Sequence, residues 1–364
     1  MNKVIPVVKP YLPAEKKYNS YVSKIFKSQW ITNSGPLHDE FEARLAKTLN
    51  VRSVILVSNC TLGLQLSYKA LNLSGNVITT PFSFAATSSS LAWEGIQPNF
   101  SDIDKNDWNI DFREIEKNIN EQTSGILGVH VYGNPCNVNE INKLASKHNL
   151  KIVYDAAHAF GVKLNGESLL NHGDISILSF HATKALHSIE GGGIIVNDPK
   201  VEDKIRSMIN FGITKTGDIS EIGINAKMNE FQAAMGLCLL DDFKKIIKKR
   251  KNIHDLYKDI LNDRLFYQSW NKDSSNNYSY FPVLFSSEEN LITSLKELHK
   301  KNIFPRRYFH PCLDSLPIYK DALNVGNSKI AEDISSRVLC LPIYPDLDTK
   351  DVEKICNVLL KSIP

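Results

Sequence analysis

The sequence predicts an α/β fold, with a mostly parallel sheet in a large first domain and a smaller α+β domain at the C-terminal end. Three observations carry that prediction. Between residues 53 and 196, short runs rich in β-branched residues alternate with segments whose apolar residues recur at helical spacing. Such a βαβα succession folds as neighbouring strands with helices on the sheet faces. The pattern then gives way to a long proline-free helical stretch over 228–261, beyond which strands are sparse. Finally, 364 residues exceed what one ordinary domain needs. The expected division is 1–240 for the large domain with its N-terminal arm and 241–364 for the small one.

The chain opens on an irregular arm, MNKVIPVVKPYLP, broken by prolines. Apolar spacing predicts helices over 18–27 and 41–49, separated by WITNSGP, whose Asn, Ser, Gly and Pro mark a loop. Strands are expected at 53–57, 76–80, 99–103, 125–131, 151–154, 175–180 and 193–196. Helices are expected between them at 61–71, 85–94, 111–120 and 138–148. In the second domain a strand at 278–285 follows the polar loop NKDSSNN, then a helix at 288–300, a strand at 338–341 and a helix at 350–362.

Composition excludes several classes of function. Hydrophobic residues make up 42% and charged residues 23%, as in a globular protein with a large core. The net charge of +3 does not suggest a nucleic-acid partner, and the basic run KKIIKKRK at 244–251 reads as a solvated helix face. The six cysteines are scattered with no C-x-x-C pair, so neither a zinc site nor a disulfide framework is indicated. No secretory leader and no apolar run of the ~20 residues a membrane span needs is visible, so a cytoplasmic protein without membrane contact is expected.

Chemistry concentrates around ISILSFHATKALHSIEGGGIIVN at 175–197, where Lys184 stands between two apolar strands. It reads either as an amine that condenses with a carbonyl cofactor or as a loop lysine of a hairpin. Asp155 ends the strand KIVY before two alanines. A carboxylate there either caps the next turn or faces a protonated pyridine nitrogen, which it would hold charged. Lys184 with Asp155 is the pair that pyridoxal 5′-phosphate (PLP) chemistry uses. A phosphate would suit the turn Ser58–Thr61, where free N–H groups open a helix at Cys60 and Thr61. Ser179 could add a hydroxyl. Phe84 could stack on the ring or be an ordinary core residue, and His158 could sit near the ring hydroxyl or be a satisfied core histidine.

The motifs SFHATKALHSIEGGG, DAAHAFG, TPFSFAAT, HVYGNPC and the loop GINAKMNE together resemble the DegT/DnrJ/StrS family of PLP-dependent nucleotide-sugar aminotransferases, over essentially the whole chain. The resemblance implies an aspartate-aminotransferase-type fold (PLP fold type I) and a homodimer whose active site is shared across the interface. It implies that Lys184 binds the cofactor aldehyde, Asp155 the ring nitrogen, and that Phe84 and His158 flank the ring. Cys60, Thr61 and Ser179 match phosphate ligands. Asn225 matches a residue that reaches the other subunit's phosphate, while Thr32 and Asn33 match a loop near the sugar nucleotide. Cys60 stands where glycine is frequent, and Lys227 where arginine is frequent, a point charge in place of a bidentate fork. Arg306, Arg307, Tyr308 and His310 either meet the substrate from the small domain or form a polar surface loop.

A branch of the family has histidine at the position of Lys184 and dehydrates its substrate, so lysine here implies transamination. SFHATK with EGG resembles the enzymes acting on 4-keto-6-deoxy hexoses. VIPVVKPYLP, the pair HVYGNPC and NYSYFPV, and RRYFHP with LCLPIYPDL are similar to family members acting on the dTDP-linked sugar, which implies that an amino group moves from L-glutamate to the 4-keto carbon of dTDP-4-keto-6-deoxy-D-glucose. The implied product is dTDP-4-amino-4,6-dideoxy-D-glucose, for O-antigen (lipopolysaccharide) or another surface glycan. The axial galacto product, a 3-keto substrate and a non-catalytic regulatory role are the alternatives. A Rossmann dehydrogenase is disfavoured because SNCTLG replaces a G-x-G-x-x-G after the first strand.

Overall fold

The computed structural model describes residues 3–363. Its centre is a seven-stranded sheet. In chain order the strands are β1 (Ile55–Val57), β2 (Asn76–Thr79), β3 (Gln97–Phe100), β4 (Thr123–Val129), β5 (Lys151–Asp155), β6 (Ile175–Ser179) and β7 (Gly192–Val196). They lie side by side as β1-β7-β6-β5-β4-β2-β3. The pairings from β3 through to β6 are parallel, while β7 runs antiparallel to both β6 and β1. The connection 180–191 between β6 and β7 holds no helix that could cover a sheet face in a parallel return, and the chain comes back antiparallel. The same connection carries Lys184.

Both faces of the sheet are covered, which is why its strands read as nearly continuous apolar runs. On one face Phe41, Leu45, Leu144 and Leu237 pack from the helices Pro36–Leu49, Val138–His148 and Glu230–Leu261. On the other, Leu64 and Ile205 pack from Cys60–Ala70 and Pro199–Met208. The expected, mostly parallel α/β architecture is therefore present.

A second apolar core joins Ile253 and Tyr257 to Phe281, Leu298, Leu339, Ile355 and Leu359, and Ile5 of the N-terminal arm inserts into it. The helix Glu230–Leu261 contributes to both cores, with Leu237 and Ile246 in the first and Ile253 and Tyr257 in the second. A capping box of Asn229 and Gln232 starts it. Beside the second core, Pro282–Leu284 pairs with Val338–Cys340, and Ile5–Pro6 pairs with Ile303–Phe304.

The structure departs from the expected elements in specific places. The helix expected at 41–49 begins at Pro36, because proline suits a first turn and the buried Glu230 carboxylate accepts from the backbone N–H groups of Leu37 (2.9 Å) and His38 (2.7 Å). The strand expected at 278–285 shrinks to Pro282–Leu284; Tyr278 takes a left-handed φ of 53°, and the carbonyls of Tyr278 and Ser279 bond the Arg250 guanidinium in place of a neighbouring strand. The helices Pro199–Met208 and Lys329–Arg337 were not expected. The first had a legible signal, Asp198 capping and Pro199 at the first helical position.

Candidate active site

A cavity of about 270 Å³ opens beyond the carboxyl ends of β4, β5 and β6, lined at those ends by Val129, Asp155 and Ser179. Strands running parallel bring several chain ends to one edge, and helices begin there with unpaired N–H groups. The cavity is also bounded by the starts of two helices: Asn59, Cys60 and Thr61 of Cys60–Ala70, and Phe84 and Ala86 of Ala85–Trp93. Lys184, His158 and Tyr308 complete the expected lining.

Asp155 is held from two sides. Its Oδ2 accepts from the Thr87 hydroxyl at 2.9 Å and its Oδ1 from the Ala157 N–H at 3.1 Å. The Ser83 hydroxyl lies 2.7 Å from Thr87 Oγ1, so when Thr87 donates to Asp155, Ser83 donates to Thr87. Burial pushes the Asp155 carboxyl above its ordinary range, and the two donors and the Lys184 charge oppose this incompletely. A cation placed against this carboxylate would restore its charged form.

Lys184 Nζ donates to the Tyr280 hydroxyl at 3.2 Å. Burial works against its charge, but Tyr280 and Asp155 outweigh it, and the amine holds its proton above the usual lysine value. His158 is buried, and its Nδ1 accepts from the Tyr132 N–H at 3.2 Å. Burial and then the Lys184 charge drive its pKa well down. The neutral ring therefore carries its proton on Nε2. Its ring lies parallel to that of Phe309, 5.8 Å between centroids at 1°.

The turn before Cys60–Ala70 is capped by Asn59, whose side chain accepts from Leu62 N–H at 2.9 Å. This leaves the first N–H groups of the helix free for an anion. Gly192 packs against the turn so closely that a Cβ there would stand 2.9 Å from Cys60 N. Ser179 Oγ accepts from His181 N–H at 3.4 Å, which leaves its own proton to donate. Phe84 is 61% exposed although it is a large apolar side chain on a cavity wall. The site as a whole offers a lysine amine, a buried carboxylate, an exposed aromatic face and an anion cradle.

The remaining expected residues lie outside this cavity. Thr32, Asn33 and Asn225 are exposed and do not line it. Lys227 Nζ donates to Asn210 Oδ1 at 2.9 Å and sits 4.9 Å over the Phe211 ring. Arg307, expected at the substrate, is turned away. Its guanidinium pairs with Glu288 at 2.6 Å and donates to the Ser336 carbonyl at 2.7 Å. His310 Nδ1 is 3.1 Å from Ser335 Oγ. Conversely, Thr87, Ser83, Tyr280, Phe309, His181 and Glu190 shape the site without having been assigned a role from sequence. Thr87 lies in the first turn of Ala85–Trp93, just after the Phe84 cap, and its closeness in the chain to Phe84 was the local signal for it.

Residues 13–360 match the model of the DegT/DnrJ/EryC1/StrS aminotransferase family. A dTDP-4-amino-4,6-dideoxy-D-glucose transaminase from Escherichia coli is 40% identical over 366 residues, covering 99% of each chain. A protein of the same name from Shigella dysenteriae is also 40% identical, again over 99% of each. The crystal structure of DesI in the presence of its TDP-sugar product superimposes with a TM-score of 0.94 at 32% identity, covering all of this chain and 94% of that one. PseC of Helicobacter pylori, an aminotransferase of pseudaminic acid biosynthesis, superimposes with a TM-score of 0.89 at 27% identity, covering 99% of each.

Proposed function

The chain belongs to the DegT/DnrJ/EryC1/StrS aminotransferase family, and on that premise we propose that it moves an amino group from L-glutamate to C-4 of dTDP-4-keto-6-deoxy-D-glucose, giving dTDP-4-amino-4,6-dideoxy-D-glucose. The observation that carries the reading is a single cavity holding both the Lys184 amine and the buried Asp155 carboxylate. The choice of sugar rests on the 40% identity to the two transaminases of that name.

The residues fit PLP. Asp155 has one donor on each oxygen and, among the described residues, no charged hydrogen-bond partner, which suits a protonated ring nitrogen. The exposed face of Phe84 suits a flat ring. The free N–H groups at Cys60 and Thr61, with the Ser179 hydroxyl, suit the phosphate. When bound, PLP supplies an electrophilic carbonyl and an electron sink. Lys184 would hold that carbonyl carbon. When free of that carbon, Lys184 Nζ would be the base that carries the proton from the donor's Cα to it in the first half of the cycle, and from it to C-4 of the acceptor sugar in the second. Asp155 keeps the proton on the ring nitrogen. His158, its tautomer fixed by Tyr132, donates from Nε2 to an oxygen in the cavity.

Several finer points belong to the same proposal. The protein acts as a homodimer, with Asn225 reaching the phosphate site of the partner's cavity and the loop of Thr32 and Asn33 lying near the sugar nucleotide. The exposure of Phe211, Ile219, Ile222 (94%) and Ile224 beside Asn225 supports this. Lys227, in the same loop, meets the substrate as a point charge, and Tyr308 meets it from inside the cavity. Residues 1–240 form the cofactor domain and 241–364 the small domain, supported by the two apolar cores. The protein works in the cytoplasm, which the six unpaired cysteines suit, and its product enters an O-antigen or another surface glycan. No helix among the described residues is long and apolar enough to cross a membrane.

The test is to incubate enzyme, PLP, L-glutamate and dTDP-4-keto-6-deoxy-D-glucose, and to determine the C-4 configuration by NMR. An equatorial amine is expected. An axial amine, or no amination, refutes the assignment. Light scattering should report a dimer in which Ile222→Asp weakens association; a monomeric wild type defeats that part.

A further inference from the structure

The segment 276–280 ties the catalytic amine to both cores. On one side, Asn277 Nδ2 donates to the carbonyls of His158 (2.7 Å) and Phe160 (3.1 Å). On the other, Arg250 of the long helix reaches it from below. Arg250 is 2% exposed and has no carboxylate partner among the described residues. Its Nη1 donates to the carbonyls of Ser279 (3.3 Å), Tyr278 (3.5 Å) and Ile343 (3.2 Å). Burying a guanidinium without an acid is costly, and burial lowers its pKa to about 10. Its hydrogen bonds fix a segment in which Tyr278 holds φ at 53°, with the Tyr278 N–H bound to Asn276 Oδ1 at 2.6 Å. A tyrosine stays in that left-handed region only where its surroundings enforce it.

This arrangement delivers Tyr280 to Lys184. The Tyr280 ring packs 4.6 Å from His158 and 5.5 Å from Tyr132, and its hydroxyl reaches Lys184 Nζ. We propose that Tyr280 is a positioning residue for Lys184, its hydroxyl accepting a hydrogen bond that aims the amine, and that Arg250 acts through it by fixing the segment that carries it. The inference rests on reading Lys184 as the cofactor-binding lysine.

An acceptor on Nζ favours the protonated amine, and the other titratable groups facing Lys184 are Asp155, Cys60, His158 and Tyr308, with His181 and Glu190 on the same cavity wall. Tyr280→Phe removes only the hydroxyl and keeps the ring in place. The experiment measures how fast the full-length apoprotein captures PLP as pH is varied. Borohydride trapping and peptide mass spectrometry then locate the bound cofactor. The half-point of capture should move to lower pH by about 0.5–1 unit in Tyr280→Phe. Arg250→Met should shift it the same way, with no further shift in the Tyr280→Phe background. An unmoved half-point in Tyr280→Phe, with Lys184 trapped as in wild type, overturns the proposal. Additive shifts remove Arg250 from it. Absence of trapping on wild-type Lys184 overturns instead the reading on which it rests.

Discussion

The Thr87 hydroxyl donates to Asp155 Oδ2 across 2.9 Å, joining two residues 68 positions apart in the chain. The bond offsets part of the burial that raises the Asp155 pKa. Thr87→Val keeps the shape and removes the donor. A hydrogen bond to a charged group contributes about 1.5–3 kcal/mol, so PLP should bind roughly 10- to 100-fold more weakly. Thr87→Ser should restore most of the affinity. Fluorescence titration of the apoprotein with PLP decides this, and equal affinity in Thr87→Val and wild type contradicts it.

Phe84 separates cofactor binding from stability. At 61% exposure its ring adds little to the apoprotein fold, so Phe84→Ala should change the unfolding free energy by no more than about 0.5 kcal/mol. Its stacking surface is lost to the cofactor, and PLP affinity should fall roughly 2- to 10-fold. A large drop in apoprotein stability with unchanged affinity would mean that Phe84 is a packing residue.

Glu230 joins the start of the long helix to the start of Pro36–Leu49. Its carboxylate takes the N–H groups of Leu37 and His38 while its own N–H donates to the Ile31 carbonyl at 3.1 Å. Glu230→Ala leaves two donors unsatisfied in a buried place and should cost about 2–4 kcal/mol. Hydrogen exchange should show faster exchange of the Leu37 and His38 amides, and unchanged protection there would disprove the cap.

Acid should destabilise the apoprotein through its buried histidines. Burial holds His158 well below the ordinary value, with Lys184 adding to it, and takes His130 down to about 3. Both are neutral in the fold, whereas the unfolded chain protonates them near ~6.5. Below that pH the unfolded state binds more protons, so stability falls as pH falls, by up to about 1.4 kcal/mol per pH unit for each ring. Denaturant unfolding between pH 7.5 and 5 should show this slope. His158→Gln, whose amide oxygen can still accept from Tyr132, should reduce it; an identical slope in the variant counts against the assignment.

Much of this protein was legible in its sequence. The alternation of β-branched runs with helical spacing determined the sheet and its covering helices, because strands buried on both faces must be apolar throughout. Lys184 and Asp155 stood out because charged residues beside buried strands are costly without a purpose, Cys60 and Thr61 because free N–H groups open a helix there, and Phe84, His158 and Ser179 through the family resemblance; the fold gathers all seven around one cavity. Local signals failed where partners are distant. Nothing near Lys184 in the chain indicates that Tyr280, 96 positions on, supplies its hydrogen bond, or that Arg250 holds that tyrosine in place. Nor does the RRYFH stretch show which way its side chains turn: Tyr308 enters the cavity, whereas Arg307 pairs with Glu288 outside it. Periodicity and residue chemistry are properties of short segments and survive in the sequence. Which side chains meet is set by how the long helix and the segment 276–280 close over the sheet, and only the tertiary structure decides that.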